Sequence, residues 1–435
     1  PAPNKMDISS VRLAKLSPSG DFIVSAFSTQ VSIRNASSLE VVQEFTCLGA
    51  CETLAWSPDS ELIMVGILKR GSIQIFCPSQ PEFRCKISEG CAGIVASMWG
   101  PDSRHLVTFA DFNLHATVWN LSDSKTLVIP KPKDHLTFCW NREGSRLAVA
   151  TREQSKDVVN VVECDGLKTC ITFPVATLDC TALEWAPGDG AIVVQDTCLR
   201  YLVLIYSSHT GELRARYSAY DQALGLKALS WSPCGAYLAL ASYDQSVRLL
   251  NALTWEPAVQ YTHTHPKLLP TSAKCPVVAL WIENAEPPDG TAPSFSQVFD
   301  MDMFPVPVVP VDESALQPKV GVGICQWSLD GRFMATRNDN MPLVLWVWDV
   351  AVGSGLHSAI LLQNPVRCVR WSPIEHLLVI ATGGAALYFW SPGSGIRAST
   401  GSNLGPSGVT VVQWAASGAD LLAVSSTKCS LVTKA

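Results

Sequence analysis

The chain has 435 residues, 47% hydrophobic and 16% charged, a balance suited to buried strands and unsuited to a disordered polymer. Its 38 acidic and 32 basic residues give a formal net charge of -6, which argues against a general binder of phosphate backbones. No apolar run reaches the ~18 residues of a membrane-spanning helix; the longest candidate, 341–352, contains Pro342 and Asp349. Fifteen cysteines are scattered with no C-x-x-C pair and no signal peptide before them, so a soluble protein of a reducing, intracellular compartment is expected. Cys139, Cys180, Cys325 and Cys368 lie in short apolar runs and read as small buried hydrophobes.

One phrase recurs from the start of the chain. An aromatic residue or Leu is followed by a small residue, often Pro, a polar or Gly pair, and then an apolar run. The anchors are Leu16, Trp56, Trp99, Trp140, Trp185, Trp231, Trp327, Trp371 and Trp414. Successive anchors lie 40 to 46 residues apart, except for 96 between Trp231 and Trp327. This is the period of one four-stranded propeller blade. The predicted fold is therefore all-β: a WD40-type β-propeller, one closed ring of about nine blades, with seven or eight as the alternative.

Each phrase has a physical reading. The aromatic ends an apolar first strand and packs between blades. A Ser-Pro-Asp-Gly type of turn follows, with Pro presetting φ and Gly supplying the turn conformation. The second strand, such as 237–242, is apolar throughout because both of its faces are covered. A third strand such as 246–251 follows, and a more polar fourth strand such as 255–262 closes the rim. Trp348-Asp349 is the one literal Trp-Asp dipeptide at the end of a third strand, and Asp244 is placed to accept hydrogen bonds inside its own blade.

Blades one to six are expected in 1–264, a Pro-rich insertion loop in 265–318, and blades seven to nine in 319–435. Residues 4–10 are expected to complete the last blade, closing the ring and removing exposed sheet edges. The insertion holds about ten prolines, which remove backbone donors and favour extended chain, so it reads as a loop and not as a blade. Within it, 301–312 alternates apolar residues with Pro. That pattern suits either a docking segment or a contact with the rim of its own blade.

Chemistry is sparse. His263 and His265 are the one close pair of histidines, short of the three or four ligands a metal site needs. There is no zincin motif, phosphate loop or nucleophile elbow. Inner strands open with apolar runs such as 94–96 and 409–412, and no repeated acid marks a channel. No enzyme, cofactor or small-molecule substrate is expected. A cullin-type ubiquitin-ligase receptor would carry Arg two positions after the Asp of Trp-Asp; here Asp349 is followed by Val350 and Ala351.

Several blocks are more particular than a generic repeat: 93–105 with 115–119, 196–201, 217–220 with 224–227, 241–251, 335–349, and 382–392. In this order they resemble the family of WD-repeat-containing protein eight, also called WD-repeat protein antisense to tumour protein 73. The resemblance covers nearly the whole chain. It implies a non-enzymatic adaptor in the cytoplasm and cytoskeleton, at the centrosome, centriolar satellites or spindle pole. The implied partners are a coiled-coil anchoring protein of the SSX-interacting type and, in fungi, a minus-end-directed kinesin. The implied roles are microtubule minus-end anchoring, spindle assembly and ciliogenesis, with no nucleic acid or membrane involved. The residues expected to touch a partner are Met301, Phe304, Val306 and Val308 in the insertion, and Asp196 and Arg200 in a turn.

Overall fold

The computed structural model describes residues 13–265, 278–284, 292–312, 314–315, 317–351, 355–400, 408–425 and 429–433. These residues form nine antiparallel-based sheets, one for each anchor phrase, so the blade count is nine. The expected closing strand at 4–10 lies outside the described residues. The chain divides into two compact units, 12–223 and 224–435 with 1–11.

The first unit holds blades 1 to 5, over residues 13–46, 53–88, 96–130, 138–174 and 182–217. Each is a four-stranded meander in which every strand pairs with its neighbour in sequence. Burial follows the position of the strand. Second strands such as Ile63–Ile67 and Ala191–Gln195 are buried at every residue. Fourth strands such as Val41–Thr46 and Gln80–Ser88 are largely exposed. Apolar clusters lie between consecutive blades, as where Ile33 and Phe45 of blade 1 meet Trp56, Val65 and Phe76 of blade 2. In blades 1, 2, 4, 5, 6 and 7 the third and fourth strands slip register by a bulge, which adds twist toward the rim.

The second unit holds blades 6 to 9. Blades 6 and 8 are four-stranded meanders over 226–262 and 368–400; blade 9 has three described strands over 409–433. Blade 7 departs from the sequence expectation. Its own four strands, over 322–361, are joined by two from the insertion, Ala279–Glu283 and Phe295–Val298. Ala279–Glu283 runs parallel to the outer strand Gly355–Leu361 and pairs with it from Ala279↔Ser358 to Ile282↔Leu361. The insertion is thus partly sheet where a loop was expected. The physical reason is local: 277–284 contains no Pro, and the outer edge of a blade offers unpaired N–H and C=O groups. Counting prolines over the whole insertion hides this Pro-free stretch.

The anchor phrases build one turn repeatedly. Ser17 N–H donates to the Phe22 carbonyl and Gly20 N–H to the Ser17 carbonyl, at 2.8 and 2.9 Å; Ser57, Ser232 and Ser328 repeat the pattern. The buried Ser hydroxyl accepts the N–H five residues on, at 3.1 Å for Phe22 and 2.9 Å for Leu62. The fourth turn position needs positive φ, supplied by Gly20, Gly144, Gly235, Gly331 and Gly418, and by Ser60, Ser103 and Asp189 against their preference. The anchor Trp also reaches across blades. Nε1–H of Trp56, Trp327, Trp371 and Trp414 donates to the carbonyls of Lys15, Ser230, Gln326 and Arg370, at 3.3, 3.2, 3.0 and 3.2 Å. Each acceptor is the residue just before the preceding anchor.

Candidate partner-binding face

Each blade of the first unit has two ends. One carries the turns that join first to second and third to fourth strands. The other carries the second-to-third turn and the connection to the next blade. Among the described residues of this unit, the exposed large apolar side chains avoid the first end. Phe27, Leu48, Val95, Phe112, Leu114, Leu136, Leu178 and Leu199 all lie at the second end; the others, such as Val42, Val128 and Leu213, lie on fourth strands.

Hydrogen bonds tie successive loops of this end together. Arg70 donates to the Leu48 carbonyl, Asn113 Nδ2 to the Lys133 carbonyl at 2.5 Å, and Lys133 Nζ to Asp157 at 3.0 Å and to Asp179. The apolar residues therefore sit on fixed loops. Phe112 is the most informative of them. It is 87% exposed with φ 54° and ψ 22°, a left-handed conformation costly for a bulky residue. Burial of the ring does not repay that strain. Beside it lies an open cleft of about 750 Å³, lined by Leu68, Ile94, Val95, Lys69, Arg70 and Asp111 among others.

Asp196 belongs to this end, but not as a contact. It is fully buried, and its Oδ1 accepts the N–H groups of Leu178, Asp179 and Thr197 at 3.0, 3.0 and 2.9 Å. It positions the two loops that carry Leu178 and Leu199. Arg200 lies 4.0 Å from its Oδ2. Phe304 is likewise corrected: it is 0% exposed, in one cluster with Leu280, Trp346 and Trp348, and Met301 and Val306 pack against that cluster. Val308 alone of the four is exposed.

The histidine pair is spent on structure. Trp348 Nε1–H donates to Thr336 Oγ1 at 2.7 Å, Thr336 lies 2.7 Å from His263 Nε2, and His263 Nδ1 lies 2.9 Å from the Gln245 carbonyl. The carbonyl can only accept, so Nδ1 carries the proton and Nε2 accepts from the Thr hydroxyl. Burial lowers the imidazole pKa to about 4, which keeps the ring neutral. His265 Nε2 lies 2.8 Å from the Phe304 carbonyl. No group of three or more His, Cys, Asp or Glu side chains poised for a metal occurs among the described residues. No described helix is long and apolar enough to cross a membrane.

The other repeat residues keep to their blades. Asp244 takes the Ser246 N–H at 3.1 Å and the Arg248 guanidinium at 2.6 Å. Asp349 pairs with Arg332 at 3.1 Å and accepts the Ala351 N–H at 3.0 Å. Two acids, one half-buried and one buried, escape the sequence reading. Glu184, on the first strand of blade 5, has its pKa pushed up to about 7 by burial. Glu283, on the insertion strand, accepts Tyr388 O–H at 2.8 Å and Gln363 N–H at 2.7 Å. An isolated Glu in a run such as 278–284 carries no signal of its partners in sequence.

Repeated meanders, shared turns and inter-blade Trp bonds define a WD-repeat β-propeller. Residues 211–251 match the family model of the WD domain, G-beta repeat. The C-terminal WD40 domain of Sif2 aligns over 99% of this chain and 97% of its own, with TM-score 0.53 and 11% identity. The Dos1 propeller aligns over 87% and 90%, with TM-score 0.55 and 11% identity. At that identity the likeness concerns the fold alone.

The chain belongs to the family of the mouse WD repeat-containing protein WRAP73, with which it shares 37% identity over 87% of its own length and 84% of that protein. An uncharacterized WD repeat-containing protein of Schizosaccharomyces pombe is 22% identical over 87% of this chain and 80% of its own.

Proposed function

We propose that this propeller is a non-enzymatic adaptor at the centrosome or spindle pole, binding a coiled-coil anchoring protein of the SSX-interacting type. In that setting it helps to hold microtubule minus ends, alongside a minus-end-directed kinesin where one is present, and supports spindle assembly and ciliogenesis. Family membership motivates the setting. The observation that carries the binding role is the row of exposed apolar residues at one end of blades 1 to 5, with strained Phe112 among them. One face of an amphipathic helix from a coiled coil supplies the complementary apolar stripe.

The test is a triple variant, Phe112→Ser, Leu136→Ser and Leu178→Ser, compared with the unaltered chain. Tagged copies are purified from dividing cells and the bound proteins identified. The expected result is loss of a coiled-coil centrosomal partner at unchanged melting temperature, because all three side chains are exposed. Undiminished recovery of that partner would reject this end as the docking face. Recovery of ubiquitin-ligase subunits in place of any centrosomal protein would reject the adaptor reading. Deleting the insertion is a poor test, since Phe304 and Glu283 are buried in the fold.

A further inference from the structure

Cys47 and Cys51 lie on the connection from blade 1 to blade 2, with three residues between them, and both pack on the same apolar cluster. Their backbones are held side by side. Cys47 N–H donates to the Thr29 carbonyl and Cys51 N–H to the Ser28 carbonyl, each at 2.7 Å, so consecutive carbonyls of one turn fix both ends of the loop. Gly49 lets the loop approach blade 2, where a Cβ would come within 2.8 Å of Ile67. Both thiols are reduced, and the two side chains are neighbours on this loop. Cys47 is buried and Cys51 half-buried.

We propose that Cys47 and Cys51 form an oxidation-sensitive dithiol that closes to a disulfide on exposure to a peroxide. The Cys51 thiolate attacks one peroxide oxygen; the O–O bond breaks, hydroxide leaves, and Cys51 becomes a sulfenic acid. The Cys47 sulfur then attacks the Cys51 sulfur; the S–O bond breaks, and the departing hydroxide takes the Cys47 proton as water. Two thiols and one hydrogen peroxide thus give one disulfide and two waters. The roles follow from position. Cys51 is reachable from solvent, and the hydrogen bond from Cys47 holds its thiol below the usual range, while the same hydrogen bond, with burial adding to it, pushes Cys47 up. Cys47 therefore resolves and Cys51 reacts first.

The chain carries its own assay. Arg34 and Lys69 bound a tryptic peptide, 35–69, with no internal Lys or Arg and only these two cysteines. The folded full chain is treated with dilute hydrogen peroxide, its free thiols are alkylated without reduction, and it is digested. The expected 35–69 peptide is two hydrogens lighter than the dithiol and carries no alkyl group; prior reduction restores two alkylation sites. In Cys47→Ala, Cys51 is expected to remain as a sulfenic acid that dimedone captures, with circular dichroism confirming the fold. The proposal is overturned if 35–69 stays doubly alkylated at peroxide doses that oxidise the exposed Cys91, Cys170 and Cys234. It is also overturned if dimedone labels folded Cys47→Ala no more at Cys51 than at those exposed sites.

Discussion

Asp189 occupies the turn position that Gly20, Gly144, Gly235 and Gly331 fill elsewhere, with φ at 56° and its Oδ1 buried without a partner. Its carbonyl, by contrast, accepts from Trp185 Nε1 and the Ser208 hydroxyl. Asp189→Gly keeps the carbonyl, relieves the left-handed side chain and removes the orphaned oxygen. Despite the added freedom of the unfolded chain, it should stabilise by ~0.5–1 kcal/mol, read from urea unfolding at neutral pH. His263 makes the opposite kind of statement. Its folded pKa lies below its ordinary value, so its contribution is present above about 6.5 and is lost as pH falls toward about 4. Wild-type stability should fall through that window by up to about 3 kcal/mol more than that of His263→Gln, measured by urea titration at stepped pH. Of these two residues, the turn position of Asp189 is legible in the repeat, because nine copies of a phrase expose the odd member. The role of His263 is not, because Thr336 and Trp348 meet it only through the fold.

Among the elements, the insertion hairpin shows where reading by composition stops. Its prolines are visible, and they announce a break between Trp231 and Trp327. The strand within it pairs with Gly355–Leu361, each residue with one 79 positions on, a partnership set by an open sheet edge and not by local pattern. Glu283 joins the hairpin to blade 8 through Tyr388, and Trp281 covers Gly395, where an added Cβ would come within 2.3 Å of its ring. Glu283→Ala leaves the buried Tyr388 hydroxyl and the Gln363 N–H without this acceptor, and should cost ~2–3 kcal/mol. Gly395→Ala combines that clash with φ of 70° and should also destabilise. Both effects are read from thermal melts. Equal stability of Glu283→Ala and wild type would mean that the hairpin is not held by this acid.

Over the whole molecule, the periodicity of the anchors accounts for blade number, turn chemistry and the buried second strands, since each is written nine times. The end proposed for docking was legible only in kind. The insertion and surface turns were expected to bind, but Phe304 of the one and Asp196 of the other are buried, and Phe112 gives no sign in sequence that its backbone is strained. The Trp bonds between blades are a property of the assembly. Trp371→Phe keeps the stacking on Phe333, at 6.2 Å between ring centres, and loses the bond to Gln326. A loss of ~1 kcal/mol is expected in chemical denaturation, with the blade-8 sheet otherwise intact by amide exchange.

That same bond has a direction. In all four cases the donor lies on the later blade and the acceptor on one already made. For these four contacts a chain leaving the ribosome therefore never waits for a downstream residue, because the accepting carbonyl is synthesised before its tryptophan emerges. The pause comes between Trp231 and Trp327, where 96 residues must be synthesised before blade 6 receives its successor. Over that interval one apolar blade face stands uncovered, and a nascent chain stalled there would be the form that most needs a chaperone.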